Sequence, residues 1–317
     1  MSSILTVKNL NIGFNLLDGF VEAIHSVSFD LKKGETLAIV GESGCGKTIS
    51  TMSVLRLLPE NSKITSGEII YNGQNLLKLS EKDMQKIRGK KIALIPQDPM
   101  TSLNPLYTIG NQLLEIIELH QGIKGKEAEK LAIEALERVK IPDAKEKLQA
   151  YPHEFSGGMK QRVIIAMALA CRAEIIIADE PTTALDVTVQ AQIMDLLDEI
   201  KKKNNLSLVL ITHDLGIVSQ YADKIAVMYA GHIVEFAHKE QLFKKPKHPY
   251  TKALLRVILD INSNHIETID GQPPSITEKT SGCPFFPRCK KSMNVCEKAY
   301  PETKRLADCT TVDCWLY

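Results

Sequence analysis

Residues Gly41-Glu42-Ser43-Gly44-Cys45-Gly46-Lys47-Thr48 fit the pattern G-x-x-x-x-G-K-[ST] directly after an apolar run, Thr36 to Val40, that reads as a buried strand. Few local sequences constrain a fold more tightly. The glycines let successive backbone N–H groups turn inward around the β- and γ-phosphates of a nucleotide, Lys47 adds a point charge, and the Thr48 hydroxyl is a ligand for Mg²⁺. The helix expected after the loop, with Ile49 in its first turn, directs the positive end of its dipole at the same anion. A glycine-rich turn without a ligand is the competing reading. The strand-then-helix setting favours nucleotide binding.

The 317 residues exceed what one core usually holds, which predicts one large nucleotide domain with smaller subdomains rather than two equal domains. A hydrophobic fraction of 44% supports a sizeable core. Lys+Arg 39 against Asp+Glu 38 leaves a formal charge of +1, so no global electrostatic case exists for a nucleic-acid or anionic-membrane partner. The N-terminal Met1-Ser2-Ser3-Ile4-Leu5-Thr6 lacks a basic segment followed by an apolar one, and no apolar run is long enough to span a bilayer, which predicts a cytoplasmic chain. Of seven cysteines, Cys45 and Cys171 read as small packing residues, and the other five follow residue 282. In a reducing compartment such a cluster points to metal before disulfides.

Ile4 to Leu10 and Ser26 to Leu31 read as strands, with Gly19 in the loop between them and Phe14 in the same connection. Phe14 could stack on a purine ring or be a half-buried strand-end aromatic. Ser66 to Tyr71 reads as a strand entering an Asn72-Gly73 turn, and Lys91 to Pro96 as a buried strand. Helical spacing runs from Ile109 to Arg138 and from Met159 to Ala170, so a helical insertion is expected over about 98–171. Ile175 to Ala178 and Ser207 to Ile211 read as buried strands around a helix from Val189 to Lys203, and Lys224 to Tyr229 with His232 to Phe236 as a terminal hairpin. The alternation predicts a mostly parallel sheet. Beyond Phe243, prolines replace periodic segments, as in a linker followed by a compact, loop-rich tail.

Asp179-Glu180 follows an apolar strand, which suits an aspartate holding Mg²⁺ through water and a glutamate polarising the attacking water; the bland reading is an acidic helix cap. Phe155-Ser156-Gly157-Gly158-Met159-Lys160-Gln161-Arg162 opens a long helix with a second anion-binding N-terminus. Taken in order, Gly41–Thr48, Gln97, Ser156-Gly157-Gly158, Asp179-Glu180, Ala184-Leu185-Asp186 and His213 resemble the motifs of ABC transporter nucleotide-binding subunits over roughly residues 4 to 240. Phe155 and Met159 stand where Leu and Gln are usual. The phosphate-facing Ser156 to Gly158 are intact.

The resemblance implies an α/β fold, the P-loop NTPase ABC nucleotide-binding domain, with a mostly parallel sheet core, an antiparallel β lobe and a helical signature subdomain. That domain would span 1–243, followed by a C-terminal cysteine-rich extension, 244–317. It implies a head-to-tail dimer in which Ser156, Gly157 and Gly158 of one subunit cover the γ-phosphate of ATP held by the other's Lys47. Phe14 would stack on adenine, Gln97 reach Mg²⁺ and the membrane partner, Asp186 bridge the dimer, and His213 hold the γ-phosphate. Lys47, Glu180 and His213 would be catalytic, and Thr48, Gln97 and Asp179 the Mg²⁺ residues.

Gln97 to Pro105, His248 to Ala253, Gly271 to Pro274 and Gly282 to Cys289 are similar to the peptide and nickel branch of ABC importers, and within it to the D-type oligopeptide or dipeptide subunit. That resemblance implies an ATPase powering peptide uptake from the cytoplasmic face of the membrane. Its partners would be a related, non-identical ATPase subunit, two transmembrane permeases and, indirectly, an extracytoplasmic solute-binding protein. A nickel or other small-solute importer is the near alternative. A soluble ABC ATPase acting on DNA or ribosomes is the more distant one, unsupported by length or heptads.

Cys283, Cys289, Cys296 and Cys314 run as C-x5-C-x6-C-x17-C, with Cys309 a fifth thiol. Four cysteines suit Zn²⁺ or an Fe–S cluster, and this spacing does not choose between them. Similar tails in the branch bind a [4Fe-4S] cluster, with the fourth ligand matching Cys314 rather than Cys309. A structural staple is the expected role, because so short a tail has little core of its own.

Overall fold

The computed structural model describes residues 3–183, 185–259, 269–278 and 281–317, so Ala184 of the Ala184–Asp186 stretch lies outside the described residues. The chain forms two compact units, Met1–Lys78 with Ile211–Tyr317, and Leu79–Leu210.

The first unit opens with β1 (Ser3–Leu16) and β2 (Gly19–Lys32), an antiparallel hairpin. Both strands are longer than the sequence suggests. Register shifts between Val7 and Leu10 and between Leu10 and Ile12 break strict alternation, and Leu5, Val7, Leu10 and Ile12 all stay buried. Phe14 is therefore a strand residue, paired with Val21 and Ser62, and not part of the connection. Next come β3 (Thr36–Val40), buried throughout, α1 (Lys47–Met52), β4 (Ser62–Tyr71) and β5 (Gln74–Asn75). The antiparallel order is β2-β1-β4-β5. Asn72 and Gly73, at φ 45 and 81, make the turn between β4 and β5.

The second unit holds α2 (Glu81–Ile87), β6 (Ile92–Ile95), α3 (Pro99–Ser102), α4 (Ile109–Gln121), α5 (Gly125–Arg138), α6 (Ala144–Lys147), α7 (Gly157–Ala170), β7 (Ile175–Asp179), α8 (Val187–Asn204) and β8 (Ser207–Ile211). The helical spacing from Ile109 to Arg138 belongs to two helices. Gly122 ends α4 at φ 73, its N–H bonding back to Glu118 O at 2.9 Å, and α5 restarts at Gly125. β6 and β7 pair in parallel, Ile92 with Ile175 through Ile95 with Ala178, and β8 lies on the other side of β7.

The chain re-enters the first unit with α9 (Leu215–Tyr221), β9 (Lys224–Tyr229), β10 (His232–His238), α10 (Lys239–Lys244) and α11 (Pro249–Leu259), then α12 (Asn294–Lys298), β11 (Lys304–Arg305) and β12 (Thr311–Val312). β9 runs parallel to β3, Leu37 facing Lys224 and Val40 facing Val227. The β9–β10 hairpin is not terminal. β12 adds to it antiparallel, Thr311 opposite Phe236 and Val312 opposite Glu235, and β11 adds to β12.

The tail shares the core of this unit instead of forming one alone. Tyr250 and Phe285 are buried with Tyr229 of β9, ring centroids 4.7 Å apart for Tyr229–Tyr250, 5.2 Å for Tyr229–Phe285 and 5.4 Å for Tyr250–Phe285. Glu235, buried in β10, accepts the N–H groups of Lys247 at 2.9 Å and His248 at 2.8 Å just before α11. Glu235→Ala strands both donors and is expected to lower stability by about 3 kcal/mol in urea unfolding of the full chain. A near-neutral effect would show that this anchor does not hold the tail.

Candidate nucleotide site

The phosphate loop leaves β3 at Gly41, where an added Cβ would stand 2.2 Å from the Met228 carbonyl oxygen and 2.7 Å from Cys45 Sγ. Only glycine allows this approach. Gly46, at φ 103, precedes α1 with no side chain capping the first N–H groups, which leaves them for an anion. Lys47 is 5% exposed, and its Nζ donates to Gly41 O at 2.9 Å and Glu42 O at 3.0 Å, so the buried ammonium sits among backbone dipoles. Ser43 and Gly44 are exposed at the mouth of the loop, and Thr48 and Ile49 occupy the first turn of α1. Burial pushes the Cys45 thiol up, Lys47 opposing, so Cys45 packs rather than reacts. Burial likewise pushes the Cys171 thiol up to about 11.

In the second unit, Asp179 ends β7 at 2% exposure. Glu180 follows in the left-handed region, φ 45, a conformation that costs a non-glycine residue about 1 kcal/mol or more. Thr183 holds it there, its N–H donating to Glu180 O at 3.1 Å and its hydroxyl to Oε2 at 2.9 Å. Gln97 Nε2 donates to the same Oε2 at 3.1 Å. The register explains this contact: Ile95 faces Ala178 across β6 and β7, and Gln97 and Glu180 each lie two residues beyond that pair.

Ser156 caps α7, its Oγ accepting the Met159 N–H at 3.3 Å, and Gly157 and Gly158 form the first turn. A Cβ on Gly158 would lie 2.7 Å from Val189 Cγ1, and one on Gly157 3.6 Å from Leu185 Cδ2. Asp186 caps α8 by accepting the N–H of the same Val189 at 3.0 Å. The Ser-Gly-Gly turn and the Leu185-Asp186 turn therefore pack on each other. His213 is exposed in the turn after β8, held by Asp214, whose carboxylate accepts Gly216 N–H at 2.7 Å and Ile217 N–H at 3.2 Å.

In the tail, Cys283, Cys289, Cys296 and Cys314 line one cavity of about 20 Å³ with Phe286 and Trp315. Burial pushes the Cys283 thiol up to about 11, and the neighbouring Cys296, Cys289 and Cys314 add to it. Cys309 is exposed and lines a different pocket. As they stand, no three Cys, His, Asp or Glu side chains among the described residues are arranged to hold a metal ion.

The sequence reading missed Thr183, and it missed two tail residues on the phosphate loop: Arg288 bonds the Glu42 carboxylate and Tyr250 the Glu42 N–H. Tyr250 lies in the His248–Ala253 stretch already singled out. Arg288 likewise lies in the singled-out Gly282–Cys289 stretch, but nothing local marks its contact with Glu42, because the two are remote in sequence.

A glycine-shaped phosphate loop leaving a buried strand, a buried aspartate with a glutamate behind it, and a Ser-Gly-Gly helix start define an ATP-binding-cassette ATPase with mixed α/β sheets. Residues 24–183 match the ABC transporter family, and residues 234–296 the oligopeptide/dipeptide transporter C-terminal region. The chain is 50% identical over 319 residues to the dipeptide transport ATP-binding protein DppD of Bacillus subtilis, covering 100% of this chain and 95% of that protein. It is 46% identical to the oligopeptide transport ATP-binding protein OppD of Escherichia coli, over 94% and 89%. A dimeric post-hydrolysis structure of an ATP-binding cassette bound to ADP and Pi superposes with TM-score 0.66 at 29% identity, over 74% of this chain and 98% of that one. The chain belongs to the ATP-binding subunits of the oligopeptide/dipeptide ABC transporter family, and it is an ATPase.

Gly41→Ala drives a methyl into the Met228 carbonyl and displaces the loop. Equilibrium titration with a fluorescent ATP analogue is expected to show affinity reduced about tenfold or more, a displacement worth at least ~1.4 kcal/mol. Wild-type affinity would refute the fit.

Proposed function

We propose that ATP hydrolysis by this chain drives the uptake of dipeptides or oligopeptides by a membrane importer. The observation that carries this reading is similarity along the whole chain, tail included, to proteins named for dipeptide and oligopeptide transport. Residues 1–243 serve as the nucleotide-binding domain, with the helical subdomain at about 98–171, and 244–317 as the extension.

Lys47 and the N–H groups of the phosphate loop bind the β- and γ-phosphates, and Phe14 stacks on adenine. Thr48, Asp179 and Gln97 are the residues that would hold Mg²⁺, which when bound neutralises phosphate charge. The hydroxyl, the carboxylate and the amide oxygen are hard oxygen donors of the kind that ion takes. Glu180 takes a proton from the attacking water, its carboxylate aimed by Gln97 and Thr183. His213 holds the γ-phosphate. Ser156, Gly157 and Gly158 act on nucleotide held by a second, related ATPase subunit, and Asp186 bridges the two.

One of the two permeases docks on the stretch after Gln97, where Met100, Leu106 and Tyr107 stand exposed although apolar. Among the described residues no helix is long and apolar enough to cross a membrane. The chain acts at the cytoplasmic face, and a solute-binding protein delivers the peptide to the permeases.

Cys283, Cys289, Cys296 and Cys314 are the residues that would hold a [4Fe-4S] cluster, with Zn²⁺ the alternative. Four thiols around one cavity walled by aromatic rings make a donor set suited to either. The cavity has room for about one water, so a cluster must spread the thiols, and loading must displace the proton that burial keeps on Cys283.

Two measurements test these readings. Glu180→Gln is expected to bind ATP and accumulate the closed dimer while turnover in the assembled transporter falls by about 10²-fold or more; undiminished hydrolysis would sink the assignment. Iron, zinc and acid-labile sulfide analysis of anaerobically purified protein should give four irons, lost in Cys314→Ser and kept in Cys309→Ser. One zinc would replace the cluster by a zinc knuckle, and no metal would remove the site.

A further inference from the structure

We infer that Arg288 and Tyr250, which lie outside every nucleotide-binding motif, are positioning residues for the phosphate loop, fixing Glu42 and through it the backbone that holds Lys47. The inference rests on reading Gly41–Thr48 as the loop that binds ATP.

Glu42 is anchored through three of its groups. Its N–H donates to Tyr250 Oη at 3.0 Å, its carbonyl accepts from Lys47 Nζ at 3.0 Å, and its carboxylate takes a two-pronged bond from Arg288, Nη1 to Oε2 at 2.8 Å and Nη2 to Oε1 at 3.0 Å. Two of these anchors come from the tail and the third is the phosphate-binding lysine itself. A shift of Glu42 is therefore a shift of Lys47. With its N–H given to Tyr250, Glu42 offers none to a phosphate in this arrangement.

The anchors are themselves fixed. A guanidinium has five N–H donors. Arg288 uses them on Glu42, on Tyr229 Oη at 3.2 Å, on Asp270 O at 2.9 Å through Nε and on Ile269 O at 3.3 Å through Nη2. Tyr250 is fully buried between Tyr229 and Phe285. The ion pair is sheltered, Arg288 at 6% and Glu42 at 24% side-chain exposure, so salt screens it little and loss of either partner strands the other. Lysine cannot replace the fork, because an ammonium is a point donor.

The test uses the full chain assembled with its transporter partners and reads both equilibrium binding of a fluorescent ATP analogue and ATPase kinetics. Arg288→Gln and Glu42→Gln are each expected to raise Kd and KM for Mg-ATP about tenfold, with kcat falling by less than about threefold. The double variant should be no worse than either single one, since both remove the same bond. Arg288→Lys should recover only part of the loss, and Tyr250→Phe should weaken binding in the same direction. Kd and KM within about twofold of wild type in Arg288→Gln, or additive effects in the double variant, would overturn the inference. If Arg288→Gln does not fold, Glu42→Gln decides alone, and wild-type affinity there overturns it. Lys47→Ala separates the levels. Retained binding in that variant removes the phosphate-loop reading itself, whereas lost binding with a normal Arg288→Gln removes only the positioning role.

Discussion

The close approach of Gly41 to the Met228 carbonyl governs the first unit. The parallel register of β3 and β9 pairs Val40 with Val227, so the next residues, Gly41 and Met228, meet where β3 ends. With no side chain at Gly41, the chain can turn there at once and direct the loop back toward α1. One residue further along β9, Tyr229 packs on Tyr250 and Phe285 and carries its hydroxyl to Arg288. A single strand thus shapes the phosphate loop on one side and seats the tail on the other.

In the second unit, register again does what no single residue could. The pairing of Ile95 with Ala178 makes Gln97 and Glu180 neighbours, and the left-handed backbone at Glu180, held by Thr183, turns the carboxylate to meet the amide. Strain at such a point persists only when the surroundings over-determine it. Val189 does comparable work between helices: its methyl forbids a side chain at Gly158 and its N–H is capped by Asp186. Packing thereby keeps a side chain off Gly158.

The tail changes the balance of forces expected from its composition. Its prolines and scattered apolar residues promise no core, and by itself it would need a staple. Folded, it borrows one. Tyr250, Leu255 and Phe285 join the core around Tyr229, β12 extends the β9–β10 hairpin, and Glu235 secures the start of α11. The cysteines therefore gather on a segment that packing already holds, which explains why four thiols line one cavity while Cys309, on an exposed turn, does not join them.

The sequence alone determined the elements whose signals are local. The phosphate loop, the buried strands at Thr36–Val40, Ile175–Ala178 and Ser207–Ile211, the Asn72-Gly73 turn and the helix opened by Ser156-Gly157-Gly158 each follow from residue type and spacing within a few positions. It was less reliable where a boundary depends on partners: β1 continues through Phe14 because β2 and β4 pair with it, and α4 stops at Gly122 although apolar spacing runs on. Only the tertiary structure decided which side chains meet. Arg288 and Glu42 are separated by 246 residues, Gln97 and Glu180 by 83, and neither pair leaves a periodic or spaced trace in the chain. The physical reason is that such contacts are set by strand register and shared burial, which belong to the folded whole and to no stretch of sequence.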